Sequence, residues 1–162
     1  MKGALLCILI LSTACAAQPQ ARLASFIESE YAPYSKEGTA SIAGEAFIKM
    51  MDGSIRRCAG FLVHLNPVTT YSKEWFERRI LARQPLQPAD PRAVSYHRET
   101  MGDSAGRFEF KNLPSGEYYL ICQIPIHVPI GYGNTIIQEG IAHSRGPVQA
   151  HDGERAEVIL TN

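Results

Sequence analysis

The sequence lacks the two features that would most simply assign it to a class: a long apolar run and an excess of charge of one sign. Its longest apolar stretch, ALLCILIL near the N-terminus, is shorter than the roughly 20 residues that a helix needs to cross a bilayer. Its 16 basic residues balance 16 acidic ones, and no basic block occurs. We therefore expect no membrane-spanning helix, and nothing in the charge favours nucleic acid as a partner.

The spacings typical of metal sites are also missing. The chain has five histidines, but none lies in an H-x-H, H-x-x-x-H or H-E-x-x-H pattern. His64 opposes the apolar face of its predicted strand, so solvent exposure is enough to explain it. His143 and His151 flank SRGPVQA, where a hairpin could bring them face to face. We predict surface or turn histidines, with no metal and no cofactor.

The N-terminus has the order of regions found in a secretory signal peptide. MKG supplies a positive charge, ALLCILIL is the apolar core, and STACAAQ follows with small residues. We predict a signal peptide over residues 1–14. LSTAC is similar to a bacterial lipobox, so the preferred interpretation is cleavage before Cys15 and lipidation of that cysteine. The alternative is ordinary peptidase cleavage after Ala16 or Ala17. Both routes predict an exported, periplasmic protein. The first gives it a lipid anchor as its only contact with a membrane, and the second leaves it soluble in the periplasm.

Cysteines are few once the leader is removed. Cys7 leaves with the leader, and Cys15 is lipidated or removed, so Cys58 and Cys122 are the two that can pair, in a compartment where disulfides persist. They either pair or stay as two buried free thiols, which behave as small apolar residues.

The rest of the chain divides into a tether and one domain. Residues 15–39 are predicted to be a polar tether that contains a candidate short helix. From residue 40 the pattern alternates with period two, and turn signals separate about seven strands, which is typical of an antiparallel sandwich. In RRCAGFLVHLNP the alternation puts Phe61, Val63 and Leu65 on one face. Residues 71–84 break the rhythm and predict one helix with Ser72 as N-cap, ended by a proline-rich loop.

The stretch DSAGRFEFKNLPSGEYYL, residues 103–120, resembles the carboxypeptidase regulatory-like domain. GEAFIKMMDGSIRRCAGFLVHLNP is similar to the opening half of that family's pattern. The resemblance implies a seven-stranded antiparallel β-sandwich of transthyretin type over residues 40–162, with an inserted helix and loop at 71–92. It also implies turns at Asp103–Gly106 and Pro114–Gly116. In that fold the strands of Cys58 and Cys122 are neighbours, so we predict a disulfide, with a bulge at 59–60 correcting the phase of Cys58.

GDSAG at 102–106 fits the G-x-S-x-G pattern of serine hydrolases, which makes Ser104 a candidate nucleophile. A nucleophile elbow needs a helix after the serine, whereas RFEFKNL alternates as a strand does. No histidine follows the late acids at 152, 154 and 157, as the hydrolase order requires. A turn is the better interpretation, and no catalytic residue is predicted.

Domains of the resembled family are mostly non-catalytic, so the resemblance implies a binding or structural module of the bacterial envelope, whose partner is an unidentified protein or glycan. A carbohydrate- or peptidoglycan-binding module is an alternative, and a small hydrolase using Ser104 is another. Aromatic side chains could provide a sugar-stacking surface; they are Tyr31, Tyr34, Trp75, Tyr96, Tyr118, Tyr119 and Tyr132.

Overall fold

The computed structural model describes residues 18–162, which form a mainly β structure of two sheets. The strands are β1 (Ala40–Lys49), β2 (Ile55–Arg57), β3 (Leu62–Pro67), β4 (Arg98–Met101), β5 (Arg107–Leu113), β6 (Gly116–Gly131), β7 (Asn134–His143), β8 (Val148–Ala150) and β9 (Arg155–Leu160). The helical segments are α1 (Glu28–Tyr31) with a 3₁₀ turn (Ala32–Ser35), α2 (Thr70–Trp75) with a π-helical continuation (Phe76–Leu81), and α3 (Pro91–Val94). None of these helices is long and apolar enough to span a membrane.

The two sheets are built around long central strands. In the four-stranded sheet, β1 pairs with β2 and β5 in antiparallel fashion and with β9 in parallel. In the five-stranded sheet the order is β4-β3-β6-β7, with β8 beside β6, and all pairs are antiparallel. The parallel β1–β9 pair departs from the all-antiparallel sandwich expected from the sequence.

Alternation places one side of each strand in the shared core. Fully buried side chains from both sheets meet there, as in Ile42 of β1 and Leu65 of β3. Tyr118 and Leu120 of β6 face the same core. The period-two pattern from residue 40 onward therefore has its predicted cause, because every second residue faces the opposite sheet.

The nine strands of the described chain differ from the predicted seven at three places. A turn at 59–60 divides one predicted strand into β2 and β3, and its Gly60 has a φ of 75°. Because of this turn Phe61 is 37% exposed, while Val63 and Leu65 are buried, so the prediction that all three share a face was wrong for Phe61. β8 was not predicted. The alternation of AVSYHRETM predicts one strand over residues 93–101, but residues 93 and 94 belong to α3 and the strand begins only at Arg98.

Cys58 and Cys122 meet inside the core. Their sulfur atoms are bonded, and their Cα atoms lie 6.4 Å apart, within the range that a disulfide spans. The turn after Cys58, rather than a bulge within one strand, directs its side chain inward. Cys58 follows β2 of the four-stranded sheet and Cys122 lies in β6, so the bond connects the two sheets.

Candidate functional site

The outer face of the five-stranded sheet is covered by an insert, defined as residues 70–97. Because β6 alternates, Tyr119 and Ile121 point away from the core that receives Tyr118. Phe76 and Ile80 of the insert pack on them, and the Phe76 ring stacks on Tyr119 with centroids 4.1 Å apart. Tyr119 is only 4% exposed, so it is not the free sugar-stacking aromatic that the sequence suggested. A second, smaller core thus lies outside the sandwich.

A capping box fixes the start of the insert helix. Thr69 is the N-cap: its hydroxyl accepts a hydrogen bond from the Ser72 N–H at 3.1 Å. The Ser72 hydroxyl in turn accepts from the Thr69 N–H at 2.8 Å and donates to the carbonyl of Pro67 at 2.6 Å. Ser72 is therefore the third helical residue and not the N-cap that we predicted. This network ties the helix start directly to the end of β3.

An N-terminal strap, defined as residues 20–31, packs against the insert. The Glu74 carboxylate accepts hydrogen bonds from the N–H groups of Leu23 and Ala24 at 2.8 and 2.9 Å, and it also pairs with Arg78. Burial alone would raise the pKa of Glu74, but these donors outweigh it and lower that pKa. The Arg22 guanidinium lies over the Tyr71 ring at 4.8 Å. This part of the predicted tether is therefore bound to the domain.

Backbone contacts and aromatic stacking join the strap to the loop after the helix. Gln20 donates to the carbonyl of Pro85 at 2.8 Å and accepts from Gln87 at 2.9 Å. Tyr31 is 2% exposed, and its ring lies 4.8 Å from that of Tyr96. The strap, the insert helix and the 82–97 loop thus form one layer above the sheet.

A cavity of about 320 Å³ lies between this layer and the sheet, and we name it the insert cavity. Its volume falls within the range of small-molecule binding pockets. The strap contributes Arg22 and Tyr31, the sheet contributes His64, Asn66, Ile121 and Gln123, and the insert contributes Tyr71, Ser72, Trp75, Arg79, Ile80, Ala89, Ala93, Val94 and His97. Trp75 is the only tryptophan in the chain. Aromatic rings and hydrogen-bonding groups therefore share one concave surface.

Two histidines of the cavity lining, His64 and His97, meet Glu99, which does not itself line the cavity. His64 Nδ1 lies 3.1 Å from His97 Nε2 and 3.1 Å from Glu99 Oε1, and His97 Nε2 lies 3.0 Å from the same oxygen. Burial lowers the pKa of His64 and His97 lowers it further, while Glu99 opposes both. The neighbouring histidines, His97 before His64, lower the pKa of Glu99 and outweigh the opposing effect of burial. His64 is half-buried beneath the insert, not freely exposed as predicted.

This cluster is not among the sites predicted from the sequence, although the sequence carries one signal of it. His64 and Glu99 are directly paired across β3 and β4, and His97 stands two residues before Glu99 on the same face. The H-x-E spacing of His97 and Glu99 indicates a cluster only when β4 is paired with β3 in the register that adds His64. His143 and His151 do not join the cluster; the ring of His143 packs against Phe76, and His151 is exposed.

Ser104 lies in an exposed turn between β4 and β5. The Asp103 carboxylate accepts hydrogen bonds from the N–H groups of Ala105 and Arg107 at 2.8 and 2.9 Å. Gly106 has a φ of 78°, and a Cβ there would lie 2.7 Å from the carbonyl oxygen of Ala46. A strand follows, as the turn interpretation requires, but the turn links strands of different sheets and closes no hairpin.

The second predicted turn, Pro114 to Gly116, packs against the sandwich core. The Tyr118 hydroxyl donates to the carbonyl of Pro114 at 2.8 Å. Gly116 has a φ of 153°, and a Cβ there would lie 2.6 Å from the Tyr34 ring. These contacts give the turn a structural role. The predicted lipidation site, Cys15, lies outside the described residues.

No protein-family model and no curated protein matches the chain. Among solved structures it is similar to the crystal structure of "a putative carbohydrate binding protein" from Pseudomonas aeruginosa, with a TM-score of 0.74 and 30% sequence identity. The match covers 87% of this chain and 100% of that one. The chain belongs to the same family as this Pseudomonas protein. The resemblance to the carboxypeptidase regulatory-like domain stays a prediction.

Proposed function

We propose that this protein is a non-catalytic carbohydrate-binding module of the bacterial envelope, and that the glycan binds in the insert cavity. The observation that carries the proposal is the lining of that cavity, where Tyr71 and Trp75 stand among polar side chains. Sugars present both apolar C–H faces and hydroxyl groups, so a site for them combines aromatic surface with convergent donors and acceptors. The carbohydrate-binding description of the Pseudomonas relative supports the same choice.

The polar groups of the cavity can serve sugar hydroxyls. Asn66 and Gln123 offer amides, and Arg22 and Arg79 offer guanidinium groups. A carboxylate on an acidic sugar is the group with which guanidinium forms its strongest hydrogen bonds, and two guanidinium groups line this cavity. Glycans that contain uronic acids are therefore the first ligands to test.

The lining also supports a role without catalysis. Glycoside hydrolysis usually needs two carboxyl groups that flank the bond to be cleaved. The residues that line the insert cavity include no aspartate or glutamate. Ser104 is exposed in its turn and does not line the cavity. Binding, rather than hydrolysis, is the activity that this cavity suits.

Export completes the proposal. The signal-peptide pattern over residues 1–14 and the lipobox-like LSTAC support a lipoprotein whose mature chain begins at Cys15. A triacylated cysteine would hold the module at a membrane, because several chains anchor stably where one binds weakly. Such an anchor would present the insert cavity to envelope glycans. The intact mass of the processed protein would reveal the lipid or its absence.

The emission of Trp75 offers a direct test, since it is the only tryptophan and lies in the cavity lining. We expect titration with uronic-acid, N-acetylated and neutral oligosaccharides to shift that emission for at least one class. Calorimetry on Trp75→Ala and Gln123→Ala should then show at least about a tenfold weaker affinity, equivalent to about 1.4 kcal/mol.

Tyr132→Ala is the matched control, because this aromatic is fully exposed on the β6–β7 connection. It should bind as the parent does. If Tyr132→Ala abolished binding while Trp75→Ala and Gln123→Ala retained it, the site would lie elsewhere.

A further inference from the structure

The contacts among His64, His97 and Glu99 cannot all be hydrogen bonds of the ordinary kind. Their three facing atoms lie within 3.0–3.1 Å of one another. Each atom is either a donor or an acceptor, so in any assignment of protons two of the three are alike. One contact must then join two donors or two acceptors at hydrogen-bond distance, which is unfavourable. A cation among the three atoms removes this conflict, because each would direct a lone pair at it.

The surroundings orient the cluster as metal ligands are oriented. His97 Nδ1 lies 3.0 Å from Asn66 Oδ1, so this nitrogen carries a hydrogen and donates a hydrogen bond to the amide oxygen. In a neutral imidazole the lone pair is then on Nε2, the atom that faces His64 and Glu99. Metal-bound histidines commonly donate their second ring nitrogen to a neighbouring oxygen in this way.

The dimensions of the triangle also suit a first-row divalent ion. A tetrahedral ion with ligand bonds of about 2.0–2.2 Å holds adjacent ligand atoms about 3.4 Å apart. The three atoms of the cluster therefore need to separate by only about 0.3–0.4 Å to reach this spacing. His64 and His97 are about one-fifth exposed and Glu99 is less than half exposed, so an ion can enter from solvent.

The geometry points to a divalent transition-metal site formed by His64, His97 and Glu99, with Zn²⁺ as the expected ion. Two imidazoles and one carboxylate favour zinc and its neighbours over calcium or magnesium, which prefer oxygen ligands. Three protein ligands leave a coordination position open to water or another ligand. Among residues 18–162 this is the one group of three or more such side chains placed to hold a metal.

The site adjoins the insert cavity, since His64 and His97 contribute to both. A bound ion would add positive charge at the cavity wall. The site does not depend on the proposed glycan, because it can be tested with the metal alone.

The experiment is calorimetric titration of Zn²⁺ into the untagged, chelator-treated protein, with Co²⁺ as a spectroscopic substitute. We expect one ion per chain, a rise in the thermal unfolding temperature when Zn²⁺ is added, and visible absorption from bound Co²⁺ of low coordination number.

His64→Ala and His97→Ala should abolish the binding. Glu99→Gln, which keeps the shape and removes the charge, should weaken it at least tenfold. Asn66→Ala should weaken it about 10–100-fold, the range seen when such supporting residues are lost.

His151→Ala is the matched control, because it removes an exposed histidine outside the cluster. It should bind Zn²⁺ as the parent does. The proposal is overturned if the parent binds no stoichiometric Zn²⁺, or if Glu99→Gln and the two cluster histidine variants bind it unchanged. Circular dichroism of each variant shows whether a loss of binding reflects a loss of fold. If a histidine variant unfolds, Glu99→Gln still tests the proposal, because Glu99 is the most exposed of the three ligands and its substitution keeps the side-chain shape.

Discussion

The outer faces of the two sheets differ in what covers them. On the four-stranded sheet the outward side chains of β5 and β9 are largely charged and form ion pairs in solvent, such as Arg155 with Glu109 and Glu157. On the five-stranded sheet the outward side chains include Tyr119, Ile121 and Ile141, which are buried beneath the insert. Apolar side chains on a sheet face require a cover, and charged ones do not. The insert cavity and the histidine cluster lie where the cover meets the sheet.

The largest effect should come from removing the ring that holds the cover in place. Phe76→Ala deletes a 3%-exposed side chain stacked on Tyr119 and should lower the free energy of unfolding by about 3 kcal/mol. It should also shift the emission of Trp75 toward that of a solvated indole. Chemical denaturation followed by fluorescence and circular dichroism measures both effects.

Phe47→Ala is the control for the other face, because Phe47 lies half-buried on the outside of the four-stranded sheet. It should cost clearly less stability and leave the emission of Trp75 unchanged. Equal losses in the two variants would mean that the insert contributes no more to stability than one surface side chain does.

A smaller effect is expected from Glu74→Gln, which keeps the side-chain shape but removes the charge that binds the strap. Hydrogen bonds to an ionised group are stronger than neutral ones, so we expect a loss of about 1–2 kcal/mol at neutral pH. Because the folded protein lowers the pKa of Glu74, this stabilisation is present above the ordinary carboxyl pKa and is lost as the pH falls through the lowered value.

Unfolding free energies at neutral and acidic pH test this prediction. The difference between Glu74→Gln and the parent should shrink toward low pH, and hydrogen exchange in the strap should be faster in the variant at neutral pH. A difference that stayed constant with pH would mean that the charge of Glu74 does not stabilise the folded protein.

The smallest effect should come from the uncovered face. Arg155→Ala removes two ion pairs whose side chains are exposed to solvent, where water and salt screen the charges. The thermal unfolding temperature should match that of the parent within error, and the emission of Trp75 should be unchanged. The contrary result would be a marked loss of stability in Arg155→Ala together with a similar loss in the parent protein at high salt. That pair of results would show that ion pairs stabilise this face.

Much of the sandwich could be predicted from local sequence. Asp52-Gly53 is a strong hairpin signal and lies at the β1–β2 connection, and alternation predicts β5 and the first part of β6; each of these signals acts within a few residues. The insert helix has local signals too: residues 71–84 carry acidic residues early, basic residues late and no glycine or proline, and the structure has helix over 70–81. These features depend on neighbours in the chain, which the sequence displays directly.

The site could not be predicted in the same way, because it depends on contacts between distant segments. The strap reaches the insert through Glu74, 50 residues from Ala24. The metal-ligand cluster requires the β3–β4 register that pairs His64 with Glu99. No local pattern encodes either contact, and a strand prediction that began at residue 93 obscured the second. The cavity lining combines residues of the strap, the insert and the five-stranded sheet, so it exists only in the folded chain.

The most direct test of the central claim is to map glycan binding onto the two faces by NMR. An oligosaccharide that shifts the emission of Trp75 is titrated into labelled protein, and the shifts of the backbone amides are followed. The account predicts that the perturbed amides cluster around the insert cavity, at residues 22, 71–80, 93–97 and 121–123, while β5 and β9 stay unperturbed. Perturbations concentrated on β5 and β9, with the amides around the cavity unchanged, would contradict it.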